Sequence, residues 1–531
     1  MRHGRIGRLA RRWGLDLAGA IGAIVYALPS LAYPFARDHP IHWYIGRRLL
    51  EGEMPYVSGI STKPPAVFVV HALSQALFGD HMWSIRVFDL AFVLANGALI
   101  ATFRRRQRLA DGTILDTPPR KPGELGAACI LVAVFHYTFF DFSDTGHPEL
   151  WQAFFMLAPA WVLARAPEWR PSKGAVVLAG ALACTAVMFK HPAVFSGVLV
   201  GVALVLVPLA RGELKRAAVD AGLYTAGVAL TLALTLLPFW ATGTLGAFWE
   251  VMVDFILNHY APGDTPMRGA PPWLTYDHGL FAVMTALLFL ATGFGVATAA
   301  RDRGERRLGV WVLLVLLVAA GSVVVQRRAL FSFTFTYYFV AITPFLVLPV
   351  AWGLRRALPR SGLAQLACAL ALGALAFLGG PKGTHNADWS YRAEWAGWID
   401  IAEGTRTREE HWAFYYNSRL DAYVRQRGVA RAINERKREG DTLCVDGFVP
   451  ILYHLTDTRC PSRFLVGDAA YGGPPSWQVQ YEAMFREDPP TFYVTFSDRA
   501  SKIRQLERLG YTRHDVSDGL RPHYVVMQRE R

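Results

Sequence analysis

The sequence predicts a polytopic α-helical membrane protein that carries a separate α/β domain at its C-terminus. Three observations lead there. Of 531 residues, 53% are hydrophobic and only 18% are charged, against about a quarter charged in soluble domains. The apolar residues gather into blocks long enough to cross a hydrocarbon layer roughly 30 Å thick. Beyond Gly379-Gly380-Pro381 the composition turns polar, and helical and alternating patterns follow one another.

The apolar blocks are 15–36, 83–103, 124–140, 149–165, 174–189, 192–210, 217–239, 278–300, 308–325, 336–354 and 361–380. The net charge of +13 is not that of a nucleic-acid binder. Its lysines and arginines sit in short clusters between blocks, at 5–12, 104–108, 165–173, 211–216, 301–307 and 355–360. About eleven crossings that start inside place every cluster in the cytoplasm, as the positive-inside rule asks. The N-terminus is then cytoplasmic and the C-terminus extracytoplasmic, in a multi-pass protein of the cytoplasmic membrane. Lys190-His191-Pro192 interrupts a long apolar run and reads as a tight outer turn between two helices. The first block has a basic start and an apolar middle, as a cleaved signal has, but it is long for one. Its removal would also take away the helix that starts the others inward.

This topology leaves three outer segments: a first loop at 38–82, a loop at 240–277, and the tail at 381–531, set against a membrane domain at 1–380. In the tail, "YNSRLDAYVRQRGVARAINERKREG", "PSWQVQYEAMFRED" and "SKIRQLERLG" have helical spacing, while "DTLCVDG", "TFYVTFS" and "HYVVMQ" read as strands. Cys129, Cys184 and Cys368 fall in apolar blocks and read as small core residues. Cys444 and Cys460 lie 16 positions apart in the tail. An oxidising outer space would allow them to pair, and a disulfide and two thiols remain equally open. No spacing of Cys and His suggests a metal site.

The chemistry gathers at the outer edge. Asp38 stands where the first apolar helix ends, and an ionisable residue there is a functional candidate; the alternative is a solvated charge paired with Arg37. "PIHWYIGRRLLEG" puts Ile41, Tyr44, Ile45 and Leu49 on one face of a helix suited to the membrane interface. Lys63-Pro64-Pro65 opens a second short apolar helix, so Asp38 and Lys63 are expected to face a common edge. In "DFSDTGHPELWQAFF", Asp141, Asp144 and Glu149 fall between two blocks. Glu149 has a routine alternative as a first-turn carboxylate. "GAFWEVMVDFILNHYAP" reads as another interfacial helix with Glu250, Asp254 and Asn258 on one stripe and His259 and Tyr260 at its end.

The stretch "DHPIHWYIGRRLLEGEMPYVSGISTKPPAVFVVHALSQALFGDHMWSIRVFDL" resembles the first-loop signature of the C-type (GT-C) membrane glycosyltransferases. It is most similar to the bacterial branch with protein O-mannosyltransferases and lipid A aminoarabinose transferases. The matching features are Asp38, Gly52, Pro55-Tyr56, Lys63-Pro64-Pro65, Leu77-Phe78-Gly79 and Arg86. "RRALFSFTFTYYFVAITPFLVLPVAW" and "PILYHLTDTRCPSRF" resemble later segments of the same proteins. Two positions depart from the pattern: His39 stands where many of them carry a second acid, and Thr62 where aminoarabinose transferases carry an acid.

The resemblance implies inverting transfer of a sugar from a polyprenyl-phosphate donor to a hydroxyl of a glycan, lipid or protein, next to the bilayer. It implies Asp38 as general base, with Glu149 helping to shape the catalytic site. It places Lys63 against the donor phosphate. Lys190, Arg327 and Arg328 are further outer-edge cations that would help there, the alternative for these three being snorkelling to lipid headgroups. His39, Tyr56, Asp144, His259, Tyr260, Tyr337 and Tyr338 would line the substrate and lipid groove; for His259 and Tyr260 plain anchoring is the other reading, and for Tyr337 and Tyr338 a lipid-facing aromatic belt. No cofactor is expected, and Asp38 with Glu149, lacking a third ligand, makes no case for a divalent cation. A lipid-linked-sugar transporter or flippase is the alternative, but no internal repeat or mid-membrane charge supports it. A catalytically inactive sugar-lipid binder is the other. A polymer ligase would carry a large arginine-rich outer loop, which this sequence lacks.

Overall fold

A computed structural model of the chain describes residues 2–36, 38–108, 114–117, 119–167, 170–260, 293, 340–358, 361–379, 390–412, 415, 423–516 and 522–530. The chain opens with α1 (Arg2–Ala27), which tightens into a 3-10 turn over Leu28–Ala32. Helices α2 (His39–Leu50) and α3 (Pro65–Phe78) follow, then α4 (Ser84–Ala101) and a small hairpin of β1 (Arg105–Arg108) and β2 (Ile114–Thr117). Helices α5 (Glu124–Phe139), α6 (Pro148–Ala164), α7 (Lys173–Phe189), α8 (Val194–Leu209) and α9 (Leu214–Ala241) come next. After α10 (Leu245–Trp249) the chain widens into a π-helical segment, Glu250–Tyr260. Two further apolar helices are α11 (Thr343–Ala357) and α12 (Gly362–Gly379). The blocks at 278–300 and 308–325 lie outside the described residues, position 293 apart.

Among the described residues, six helical stretches are long and apolar enough to cross a membrane: Trp13–Ala32, Ser84–Ala101, His191–Leu209, Leu214–Ala241, Val340–Ala357 and Gly362–Gly379. The turn expected at Lys190 is present. Helix α7 stops at Phe189, a 3-10 turn covers His191–Ala193, and Gly197 of α8 lies against Ala183 of α7. The chain has therefore reversed direction there.

Contact density separates the chain into two compact units, 1–32, 86–235 and 265–398 in one, and 33–85, 236–264 and 399–531 in the other. In the first unit, α1 and α5 touch at Gly19 and Gly126. A Cβ on Gly19 would lie 2.3 Å from the Gly126 Cα, so small residues allow the two backbones to meet. Asp16 lies in α1, an awkward place for a carboxylate. It accepts from the backbone N–H groups of Gly123 and Leu125 at 2.9 and 3.0 Å and pairs with Arg120 at 2.6 Å, so it caps the start of α5. Arg104 and Glu124 form a second buried ion pair.

The second unit holds the tail together with residues 33–85 and the 236–264 segment. Its helices include α13 (Tyr391–Ala402, which straddles the division), α14 (Arg408–Trp412) and α15 (Tyr423–Asn434). Strand β3 (Leu443–Val445) leads to α16 (Ile451–Thr456), α17 (Gly467–Tyr471) and α18 (Pro475–Glu487). Strand β4 (Phe492–Phe496), α19 (Ala500–Arg508), β5 (Tyr511–Val516) and β6 (Tyr524–Arg529) complete it. The sheet order is β3-β4-β6-β5, with β3 and β4 parallel and the other pairs antiparallel. The α/β reading of the tail thus extends to a strand, β5, that the sequence pattern does not reveal.

Within this unit the tail grips the first loop. Arg47 of α2 pairs with Asp457 at 2.5 Å, and Arg459 pairs with Glu51. The Cys460 N–H donates to the Tyr44 hydroxyl at 3.0 Å, and the Ile60 N–H to the Arg463 carbonyl at 2.8 Å. These contacts correct the expectation that α2 turns its apolar face to lipid. Ile41, Tyr44 and Ile45 are buried, Tyr44 against the Tyr453 ring at 5.2 Å and Ile45 against Gly59. Helix α3 instead leaves Val69, Leu73 and Leu77 exposed at four-residue spacing, the pattern of a helix lying on a bilayer.

Arg463 also reaches back to the π-helical segment. Its guanidinium binds Glu250 through both nitrogens at 2.7 and 2.9 Å, and the Trp477 indole donates to the same carboxylate at 2.5 Å. The Arg463 hydrogen bond holds the Glu250 carboxyl below its ordinary range, against the opposing effect of burial. A lowered folded-state pKa means stability that is present above the unfolded pKa and lost as the pH falls through the folded one. Glu250→Gln is therefore expected to lower the melting temperature at pH 7. The gap to the wild-type protein should close as the buffer is taken down through about pH 4, a trend that scanning fluorimetry in detergent will read.

Candidate active site

Lys63 sits in the turn before α3, where Pro64 is extended (φ −67°, ψ 163°) and Pro65 begins the helix. Proline suits that first position because its missing N–H is not needed there. The lysine is held from behind by Tyr56. The Tyr56 hydroxyl donates to the Lys63 carbonyl at 2.9 Å, and the Tyr56 N–H donates to the Gly59 carbonyl at 3.1 Å. Tyr56 is in the left-handed region, with φ +70°, which is rare for an aromatic residue. Its ring is enclosed by Phe68, Phe239 and Phe248 at 5.8–5.9 Å. The ring is fully buried among these aromatic side chains. Its contribution is the position of Lys63, in a strained turn of the kind that gathers at functional sites.

Asp38 stands just ahead of α2 in helical conformation, and its side chain makes no capping hydrogen bond. His39 instead bonds back to the chain before the helix. The Ala36 N–H donates to His39 Nδ1 at 3.0 Å, and His39 is wholly buried in the first turn of α2. The histidine thus ties the first turn of α2 to the segment that precedes Asp38.

In the first unit the loop from α5 to α6 is wound around Arg86 of α4. Its guanidinium donates to the Thr145 carbonyl and hydroxyl and, at 3.3 Å, to the Phe142 carbonyl. Gly146 has φ +72°, and a Cβ there would sit 2.7 Å from Arg86 Nη1, so only glycine fits. The Asp141 carboxylate accepts from Ser143, and the Asp144 N–H donates to the Asp141 carbonyl at 3.0 Å. Asp144, His147 and Glu149 are all buried. Glu149 and Lys190, expected to act separately, form one ion pair, joining the start of α6 to the end of α7. His147 Nδ1 lies 4.0 Å from the same carboxylate. The pairing shows why first-turn capping is not the whole role of Glu149. One turn along α4, Asp89 bonds His136 of α5 at 2.8 Å, a buried pair that sequence spacing does not signal.

Other expected residues are placed less centrally. His259 is exposed and stacks on Phe255 at 6.0 Å. The Tyr260 side chain lies outside the described residues, as do Arg37, Arg327, Arg328, Tyr337 and Tyr338. Arg463, Trp477 and Arg459, which tie the tail to Glu250 and Glu51 of the second unit, lie far from their partners in sequence, and no local pattern marks them. A cleft of about 230 Å³ opens in this unit between α2 and the tail. It is lined by Arg47, Arg48 and Arg459 and by Glu51, Asp441 and Asp457, so its arginines and carboxylates balance.

Solved structures share this architecture. ArnT from Cupriavidus metallidurans bound to undecaprenyl phosphate superposes with a TM-score of 0.59 at 14% identity, covering 97% of this chain and 98% of that one. The apo state of the same protein gives 0.52 at 17% identity, over 97% of each chain. The chain has the GT-C fold. No family model matches it, and no curated protein matches it by sequence. Tyr56→Phe removes one hydrogen bond, roughly 0.5–1.5 kcal/mol. It should lower the melting temperature by no more than a few degrees, which scanning fluorimetry in detergent will measure.

Proposed function

We propose that the chain is an inverting glycosyltransferase that takes a sugar from a polyprenyl-phosphate donor at the outer face of the cytoplasmic membrane. The observation that carries this reading is the near full-length fold match to a protein crystallised with undecaprenyl phosphate. The presentation of Lys63 by the buried Tyr56 turn supports it. In the reaction the acceptor hydroxyl attacks the anomeric carbon and gives its proton to the Asp38 carboxylate. The bond from that carbon to the phosphate oxygen breaks with its electrons, and the lipid phosphate leaves. Lys63 offsets the charge that gathers on the phosphate, an electrostatic role that requires no acid from the protein. Displacement in one step inverts the anomeric centre.

Eleven crossings that start in the cytoplasm keep Asp38, Lys63 and the tail outside. The cleft beside α2, with its matched arginines and carboxylates, suits an uncharged polyhydroxylated acceptor. Glu149 and Lys190 contribute as a pair that holds the outer ends of α6 and α7. Lys63→Met tests the donor assignment. Loss of one charge-assisted contact, roughly 1.5–3 kcal/mol, should weaken undecaprenyl-phosphate binding by about 10- to 100-fold. Unchanged binding would remove Lys63 from the donor site.

A further inference from the structure

The tail holds two thiols that the proposed chemistry does not use. Cys444 is in β3 and fully buried, with its sulfur 3.4 Å from the Tyr481 hydroxyl. Cys460 follows Arg459, which bridges to Thr442 in parallel register, and the Leu443 N–H donates to the Arg459 carbonyl at 2.8 Å. The two cysteines therefore lie on adjacent strands of backbone, with their thiols within hydrogen-bonding reach of each other. Both are free cysteines in this structure. Cys460 is the half-buried partner, the one that a reagent reaches first. Burial pushes the Cys444 thiol up, while hydrogen bonds from Cys444 and Tyr453 hold Cys460 low against the effect of burial. The poorer acid is thus fully buried and the readier thiolate is the half-buried one.

We propose that Cys444 and Cys460 are a site of oxidation to a disulfide, made by exchange with a protein disulfide oxidant of the extracytoplasmic space. The Cys460 thiolate attacks one sulfur of that disulfide, and one oxidant thiolate leaves. Cys444 then gives up its proton and attacks the Cys460 sulfur, releasing the second oxidant thiolate. The two cysteines lose two electrons and two protons, and the oxidant becomes a dithiol.

The bond clamps β3 to residues 459–463, the stretch that meets the outer segments of this unit. Arg459 reaches Glu51, the Cys460 N–H reaches Tyr44, the Arg463 carbonyl receives Ile60, and its guanidinium binds Glu250. Ile60 is three residues before Lys63, so the staple steadies the turn that presents the lysine. This inference rests on the outer placement proposed for the tail.

The test uses full-length protein taken from membranes, denatured, and treated with a maleimide before and after reduction, followed by peptide mass spectrometry. A phosphatase fused at the C-terminus reports the side of the membrane independently. The expected result is active phosphatase, with Cys444 and Cys460 labelled only after reduction and their peptides recovered as one cross-linked species. Cys444→Ser, Cys460→Ser and the double variant should then lower the melting temperature equally. Both thiols labelled without reduction, beside active phosphatase, would overturn the disulfide alone. The same labelling with inactive phosphatase would overturn the outer placement as well.

Discussion

Asp38→Asn is expected to cut sugar transfer by roughly 10²–10⁴-fold, the usual contribution of a positioned general base. The substitution keeps size and shape, and Asp38 makes no cap to α2 that would be lost. The helix start is held instead by the His39 contact to Ala36. The variant should therefore express and melt as the wild type does and, under the proposed mechanism, still bind a polyprenyl phosphate through Lys63. Transfer measured against acceptor concentration should fall in kcat, because proton removal belongs to the chemical step. Retained transfer in a folded Asp38→Asn protein would end the assignment of the base.

The second large effect concerns Glu149 and Lys190. Both are buried, and they pair directly. Lys190→Met leaves a carboxylate without its counter-charge in the interior, which costs roughly 3–5 kcal/mol. Glu149→Gln with Lys190→Met removes both charges and should recover most of that loss. A double-mutant cycle on unfolding in detergent reads the coupling directly. If the single and double variants are equally stable, the pair does not hold α6 to α7. The cycle also separates structure from catalysis: a double variant that melts normally but transfers no sugar would give the pair a role in the reaction beyond the joint.

These two sites were legible in the sequence to different depths. Asp38 and Lys63 stand beside helix ends that hydropathy alone locates, so their neighbourhood could be read from spacing. Glu149 and Lys190 could each be picked out as outer-edge charges, but a pair 41 residues apart is made by packing of α6 on α7, and no local pattern records it. The turn at Lys190-His191-Pro192 was readable because a charge and a proline interrupt an apolar run. Strand β4 was readable because "TFYVTFS" is apolar and bounded. Strand β5 was hidden because "YTRHDV" buries only Tyr511 and lies at the sheet edge. The apolar stripe of α2 is legible in the sequence, but the pattern does not say what covers it. Its real partner, the tail around Tyr453 and Cys460, is some 400 residues away. The His39 contact to Ala36 and the left-handed Tyr56 are conformations, and residue identity alone does not state them.

The central claim is that the protein adds a lipid-carried sugar to something in the envelope. Mass spectrometry of envelope glycolipids and glycoproteins tests it most directly, in cells with the gene, without it, and with only Asp38→Asn. The account predicts that one sugar-bearing species is lost on deletion, returns with the wild-type gene, and fails to return with an equal amount of Asp38→Asn protein. Identical spectra from all three strains, with the wild-type protein present in the membrane, would contradict it.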